Sequence, residues 1–323
     1  MTLRWGFLGA SAIGKRAVAP AVLAVSGNAL NAVGARDLSR AREFAAEFGI
    51  AKARGSYREI IEDPEIDVIY NALPNDAHLP WTIAALEAGK HVLCEKPLAL
   101  SAAEVRQMQD AERRSGRRVM EAFCHIFHPH MIRTRDQLAA GAIGNLVGME
   151  CSYGMRRDYG EDFRWIARHG GGSLYDVGCY CVSALRMLSG REPVRAAGVQ
   201  ALHGDVDESF SGLLDFGDGI GGRVFCSYVS ARTQRLTLIG SDGAIAIDWP
   251  FGVKGRSIRV VRGEQVEEFV ANDPYAALVE HFGRAIRGEV DMMIDLAWSL
   301  RQANALDALF AAARSGTTVS VSP

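Results

Sequence analysis

The first 122 residues alternate between two textures. Runs that are apolar nearly throughout occupy 3–9, 29–35, 68–73, 91–95 and 118–122, and they read as buried strands. Between them lie stretches with helical character. The segment 12–25 is rich in Ala and Val. The segment 38–49 places Leu38, Ala41, Phe44, Ala45 and Phe48 at helical spacing and ends at Gly49, a natural C-cap. Segments 78–89 and 101–116 complete the series. Asp37 and Ser39 are both candidate N-caps for 38–49, and Ser101 with Glu104 has the capping-box spacing. Strands that alternate with helices need crossover connections, hence a parallel sheet covered by helices on both faces.

After about residue 123 the texture changes. Helices are predicted over 129–141 and 175–188. Strands then follow in close succession at 195–204, 208–216, 220–230, 235–240, 244–249, 257–263 and 265–270. Turn signals such as Gly217-Asp218-Gly219 and Ser241-Asp242-Gly243 separate them. Short connections between consecutive strands imply an antiparallel sheet. Helices over 275–287 and 296–314 close the chain. At 323 residues two domains are expected, divided as 1–122 and 123–323.

Composition narrows the function. Hydrophobic residues make up 48%, charged residues 23%, and the net charge is −2. No concentrated basic patch calls for nucleic acid or an anionic membrane. The N-terminus lacks the pattern of a signal peptide, and no stretch of 18 uncharged apolar residues provides a membrane span. The six cysteines form no C-x-x-C pair and several sit in apolar runs, as expected of reduced thiols in a cytoplasmic protein.

The turn after the first strand reads Gly9-Ala10-Ser11-Ala12-Ile13-Gly14. A dinucleotide fold needs a tight turn there, a close backbone approach to the pyrophosphate, and a helix N-terminus aimed at it. Gly9 and Gly14 supply the outer glycines, with Ala12 and Ile13 on the turn. Ser11 replaces the middle glycine, and its hydroxyl can bond a phosphate oxygen. In its strand–turn–helix setting the motif marks a Rossmann-type domain. The fold class is therefore α/β, an N-terminal Rossmann parallel sheet followed by an α+β domain with a large open antiparallel sheet. NAD-selective sites end the second strand in an acid that holds the ribose 2′-hydroxyl. Here Arg36 stands there, followed by Asp37. A guanidinium can pair a 2′-phosphate bidentately, which points to NADP over NAD; the alternative is a solvated Arg36 with Asp37 bonding the ribose.

The combination of G-x-S-x-x-G, Leu73-Pro74-Asn75-Asp76-Ala77-His78, Glu95-Lys96-Pro97 and the run from Gly171 to Tyr180 resembles a known family. It is similar to the glucose–fructose oxidoreductase, inositol dehydrogenase and rhizopine-catabolism family over nearly the whole chain. The match is strongest to the branch that holds dimeric dihydrodiol dehydrogenase and NADP-linked D-xylose dehydrogenase. The resemblance implies hydride transfer between a nicotinamide and a sugar-like or cyclic polyol carbon. It implies that Lys96 sits at the reacting carbon, that the loop of Leu73, Pro74, Asn75 and His78 makes contacts near the nicotinamide ribose, and that Glu95 and Lys96 belong to the cofactor site. For His78 a plain helix-start role is an equal reading. The resemblance also implies a metal-free enzyme whose second-domain sheet builds a homodimer or homotetramer. Many members end the later motif in His, whereas this chain has Tyr180.

Hydride transfer makes or consumes an alkoxide, so a proton donor or acceptor must reach the substrate oxygen. A phenol is a poor base at neutral pH unless an ammonium lowers its pKa. Lys96 and Tyr180 make chemical sense as a pair, with Tyr180 exchanging the proton and Lys96 tuning it. The reverse assignment is open. Asp176, four residues before Tyr180, falls on the same face of a regular helix and is a candidate to bond a substrate hydroxyl or orient Lys96. Arg164 and Trp165, just before the glycine run, are candidates to cover the nicotinamide. His125, His128 and His130 are clustered, but Pro129 breaks their register, which disfavours a metal. Two other functions are open: a non-catalytic NADP sensor, which would need neither Lys96 nor Tyr180, and a sugar dismutase that retains its cofactor.

Overall fold

The computed structural model describes residues 2–252, 257–270 and 274–322. The chain opens with β1 (Leu3–Leu8), then a π-turn at Gly14–Val18 that runs into α1 (Ala19–Ala24) and β2 (Asn28–Gly34). There follow α2 (Leu38–Phe48), β3 (Lys52–Arg54), α3 (Tyr57–Ile61), β4 (Val68–Asn71), α4 (His78–Glu87), β5 (His91–Cys94), α5 (Ala102–Ser115) and β6 (Val119–Glu121). These strands form a six-stranded sheet in the order β3-β2-β1-β4-β5-β6, every pair parallel. The order reverses between β1 and β4. That switch point opens a crevice at the carboxyl ends of the strands, where such folds bind ligands.

Local chemistry sets the helix ends. Asp37 caps α2 by accepting from Ser39 N at 2.9 Å, and Gly49 closes it with φ 66°. Ser101 Oγ accepts from Glu104 N, but Glu104 reaches back to Leu100 N at 2.8 Å rather than to Ser101. The short pair β3 and α3 has no clear apolar run, yet α3 is essential to packing. Its Ile60 sits in a notch left by two glycines. A Cβ on Gly6 would lie 2.6 Å from Ile60 Cγ2, and one on Gly34 would lie 2.8 Å from Ile60 Cγ1. Phe7 and Tyr70, both fully buried, pack across neighbouring strands with ring centroids 4.8 Å apart.

The second part begins with α6 (Pro129–Ala139) and β7 (Leu146–Arg156). A π-turn at Leu174–Gly178 leads into α7 (Cys179–Ser189). Then come β8 (Arg195–His203), β9 (Val206–Asp215), β10 (Gly221–Ser227), β11 (Val229–Gly240), β12 (Ala244–Asp248), β13 (Ile258–Arg262) and β14 (Gln265–Phe269). The chain closes with α8 (Pro274–Ile286), α9 (Leu296–Ser315) and β15 (Val319–Ser320). The sheet is nine-stranded, ordered β14-β13-β12-β11-β7-β10-β9-β8-β15.

Three features of this sheet depart from the sequence expectation. The central strand β7 gives little apolar signal, because Gly148 and Gly154 interrupt it and Glu150 is exposed between buried Met149 and Cys151. Its pairing with β10 is parallel, at Gly148 with Gly221 through Gly154 with Ser227, whereas every other pair in the sheet is antiparallel. The long excursion through α7, β8 and β9 permits that direction. The segment 220–230 also divides at Tyr228, which is buried between β10 and β11.

The chain divides into two compact units. The first is Met1–Cys124 with Asp273–Leu300, the second His125–Asn272 with Arg301–Pro323. Within the first unit, Phe282 of α8 packs edge-on against Trp5, and Trp298 against Phe123. Within the second, one sheet face is buried through Phe210, Leu214, Cys226, Leu236 and Leu238. The other face carries the exposed side chains Val199 and Leu213 beside the ion pair Arg223–Glu150, around a groove of about 640 Å³. Among the described residues no helix is long and apolar enough to cross a membrane.

The glycine notch is testable. Gly34→Ala is expected to destabilise the protein by about 1–3 kcal/mol, the usual cost of overpacking. Urea unfolding measures this, and a loss below about 0.5 kcal/mol, the range of a neutral surface change, would contradict the notch.

Candidate functional site

In the first unit, β1 delivers Gly9 with φ 95°, a conformation glycine adopts without strain. A Cβ there would lie 3.2 Å from Leu73 Cδ2, so the turn after β1 abuts the loop after β4. Ser11 Oγ accepts from Gly14 N at 3.0 Å. A Cβ on Gly14 would stand 2.9 Å from that same hydroxyl. Ser11 thus caps the helical run. The amides of Ala12 and Ile13, the first of that run, have no acceptor one turn back, which is how a helix start presents N–H groups to an anion. These residues fit the pyrophosphate of a dinucleotide. At the end of β2, Asp37 is committed to Ser39, whose N–H and hydroxyl it accepts at 2.9 and 2.7 Å. These bonds hold its carboxyl below the usual range. Arg36 stands exposed and outside that cap.

The loops after β4 and β5 are tied together. His78 is fully buried, with Nδ1 2.9 Å from Pro97 O and Nε2 2.9 Å from Leu73 O. Burial pushes its pKa down, against the pull of the two carbonyls. In this structure His78 links the Leu73-Pro74-Asn75 loop to the segment after Lys96. Asn71, also fully buried, donates to His78 O and Thr82 Oγ1 and accepts from Leu73 N. Asn75 is buried at the head of α4. Glu95 is buried and accepts from Tyr70 OH at 2.8 Å, while the partly exposed Lys96 follows it. Glu121 anchors the next segment by accepting from Leu98 N at 2.9 Å and Ser299 Oγ at 2.7 Å. Removing either partner of such a buried bond leaves the other unsatisfied, at a cost of about 1–3 kcal/mol.

In the second unit the glycine run leads into the helical segment that carries Asp176 and Tyr180. The π-turn at Leu174–Gly178 widens this part of the segment, so the four-residue spacing does not place Asp176 and Tyr180 as a regular helix would. The Asp176 carboxylate accepts from Arg164 Nε at 3.0 Å and Arg157 Nη2 at 3.4 Å. Arg164 also pairs with Asp162 and lies over the Phe163 ring. Trp165 donates to Asp158 O and packs among Tyr159, His203 and Tyr228. Tyr180 sits in an aromatic cluster, its ring 5.1 Å from His125, 5.3 Å from Phe251 and 5.8 Å from Tyr153. Phe251 lies flat on Tyr153. It is brought there by the turn at Trp249, whose φ of 61° is uncommon for a side chain of that size, and which is held by Gln234 through Trp249 N and Phe251 N.

Asp207 of β9 was not a sequence candidate. It is 3% exposed and accepts from Ser173 Oγ and Leu174 N, both at 2.7 Å. Burial drives its pKa from 3.8 up to about 6 in spite of those bonds. Keeping it ionised at neutral pH costs the fold about 3 kcal/mol.

The histidine run is buried in the second unit. His125 Nε2 lies 3.1 Å from Ser183 Oγ. His128 Nδ1 caps α6 and lies 2.6 Å from His130 Nδ1. Burial lowers the pKa of both, that of His130 to about 3. Among the described residues no group of three or more His, Cys, Asp or Glu is placed to hold a metal. All six cysteines are buried thiols.

Residues 3–123 match the model of the GFO/IDH/MocA oxidoreductase family with its NAD-binding Rossmann fold, and residues 131–246 match the GFO/IDH/MocA C-terminal domain. The chain is 35% identical to a D-xylose 1-dehydrogenase (NADP(+)) of Haloferax volcanii over 98% of this chain and 99% of that protein. It is 38% identical to mouse trans-1,2-dihydrobenzene-1,2-diol dehydrogenase over 76% of this chain and 75% of that one. In structure it is similar to an aldose–aldose oxidoreductase from Caulobacter crescentus complexed with glycerol. That match has TM-score 0.92 and 26% identity, and covers 99% of this chain and 100% of the other. A 3-ketoreductase from Actinomadura kijaniata, solved with NADP and TDP-benzene, gives TM-score 0.89 and 28% identity over 97% and 98% of the two chains. The fold and the paired motifs define a two-part nicotinamide-dependent oxidoreductase. The chain belongs to the GFO/IDH/MocA family and is an NAD(P)-dependent enzyme acting on CH–OH groups.

Proposed function

We propose that the protein is an NADP-linked dehydrogenase of a cyclic sugar, anhydro-sugar or diol. The observation that carries the cofactor choice is the division of labour after β2. Asp37 is spent on the α2 cap, and the exposed Arg36 stands where NAD sites place an acid. The relative from Haloferax volcanii is named for NADP(+), in keeping with this reading. When bound, NADP supplies the hydride acceptor. Gly9, Ser11, Ala12 and Ile13 cradle its phosphates, and Leu73, Pro74, Asn75, His78 and Glu95 shape its nicotinamide end. Arg164 and Trp165 are the further candidates from the second unit.

For the chemistry, Tyr180 exchanges the proton of the reacting hydroxyl. Lys96 holds that oxygen and favours the phenolate. Asp176, held by its two guanidinium partners, bonds a substrate hydroxyl. A sugar dismutase that retains its cofactor is the second reading, favoured by the similarity to the aldose–aldose oxidoreductase. Turnover without added NADP marks it. The open sheet face, with Val199 73% and Leu213 54% exposed, is the surface for a homodimer or homotetramer.

Calorimetry of native protein and Arg36→Ala tests the cofactor choice. Native protein is expected to bind NADP more tightly than NAD, and Arg36→Ala to lose that difference. Equal native affinities would contradict it. With D-xylose and NADP, Tyr180→Phe is expected to lower kcat by about two to four orders of magnitude, and Lys96→Met by at least as much. The double variant should be scarcely slower than the worse single, because groups acting as a unit do not add. Near-native turnover of Tyr180→Phe, with chemistry rate-limiting, would sink the mechanism. Light scattering at micromolar concentration is expected to report a dimer or tetramer that Leu213→Arg dissociates, and a native monomer would rule out the sheet interface.

A further inference from the structure

A helix start leaves backbone N–H groups without partners, and a neutral Ser or Asn satisfies one of them at no electrostatic cost. The helical segment bearing Tyr180 is answered differently. Its first turn is held in trans by Asp207, whose Oδ2 accepts from Ser173 Oγ and Leu174 N at 2.7 Å each. The approach is close enough that a Cβ on Gly172, where φ is 115°, would stand 2.1 Å from Asp207 Oδ1. Gly172 is fixed from three further sides. Its N–H donates to Arg164 O at 2.9 Å, and its carbonyl accepts from Tyr228 OH at 3.0 Å and from Asp176 N at 3.1 Å. One buried carboxylate therefore sits behind the turn that sets both Asp176 and Tyr180. The titratable groups facing it are the Cys226 thiol, 3.5 Å from Ser173 Oγ, and, across Gly172, the Tyr228 phenol. Burial keeps both of these neutral.

We propose that Asp207 is a positioning residue for the reaction, its carboxylate latching the first turn of the Tyr180 segment through Ser173 and Leu174. The proposal rests on the reading of Tyr180 as the proton-exchanging group. Charge-assisted bonds are roughly twice as strong as neutral ones, so the ionised form grips the turn more firmly. The fold itself prefers the other form. Burial raises the folded-state pKa to about 6, above the ordinary 3.8. The stability gained from protonated Asp207 is thus complete below about pH 4 and lost as pH rises through about 6. A latch held for catalysis reverses the trend in turnover, which rises over the same interval as the carboxylate ionises.

The test compares native protein, Asp207→Asn and Asp207→Ala, using D-xylose and NADP from pH 5 to 8. Asp207→Ala is expected to lower kcat about ten- to hundredfold, the scale of a small misplacement of reacting groups, with NADP affinity unchanged. Asp207→Asn, which keeps an acceptor but not the charge, should fall between the two and lose the rise in kcat through about pH 6. Its unfolding midpoint should gain on the native one as pH rises from 4 to 6. Native-like kcat and pH profile in both variants, with only the unfolding curves moved, would overturn the proposal. Should Asp207→Ala fail to fold, Asp207→Asn carries the comparison. If native protein turns over neither D-xylose nor a trans-diol, the functional reading is what fails. The latch is then read from the Tyr180 phenol titration at 295 nm, isolated by subtracting Tyr180→Phe in each background. A Tyr180 titration shifted by Asp207→Asn upholds the latch, and an unshifted one overturns it.

Discussion

The unpaired N–H groups at the start of a helix are the constraint on which both functional regions turn. Every helix must satisfy them with a side chain, water or a ligand. At the first helical run Ser11 answers only Gly14, and the amides of Ala12 and Ile13 before it are the ones we propose for the cofactor's phosphates. At the second, the buried carboxylate of Asp207 answers Leu174. Both runs pass through a π-turn next to a glycine that allows close packing: Gly14 against Ser11, Phe7 and Tyr70, and Gly178 against Cys226 and Leu174. The same backbone problem is thus met once by a serine hydroxyl close in sequence and once by a buried carboxylate from another strand.

Much of this was legible in the residues, because the signals were local. The β-α alternation through residue 122 requires the parallel sheet, and the Gly9–Gly14 spacing requires its phosphate turn. Asp37, Gly49 and Ser101 cap the helices where turn chemistry places them. The β3–α3 pair was not legible. Its importance lies in one residue, Ile60 of α3, meeting glycines on β1 and β2, and no window of sequence contains that contact. The parallel entry of β7 beside β10 was hidden for a related reason, since strand direction follows from a long excursion rather than from the strand itself.

The candidate site divides along the same line. Motif residues such as Lys96, Arg36 and Tyr180 could be singled out because their chemistry is unusual at those positions. Their supports could not. Asn71 carries no signal of its own inside the 68–73 run, yet together with His78, which the sequence left open between a ribose contact and a helix start, it organises two loops. Tyr153 and Phe251 surround Tyr180 from segments nearly 100 residues apart. The helical spacing of Asp176 and Tyr180 was sound for a regular helix and altered by a π-turn that no side-chain pattern announces. Asp207, at the head of an ordinary strand, becomes conspicuous only when its burial is known.

The central claim is that these parts serve hydride transfer between NADP and a ring-shaped polyol or sugar. The most direct measurement is absorbance at 340 nm for a panel of aldoses, anhydro-ketoses and trans-diols, each run with NADP, with NAD and with neither. The account expects reduction of NADP by at least one cyclic sugar or diol, and slower reduction of NAD. Failure of every member of the panel to reduce either cofactor, in a protein that binds NADP, would contradict it.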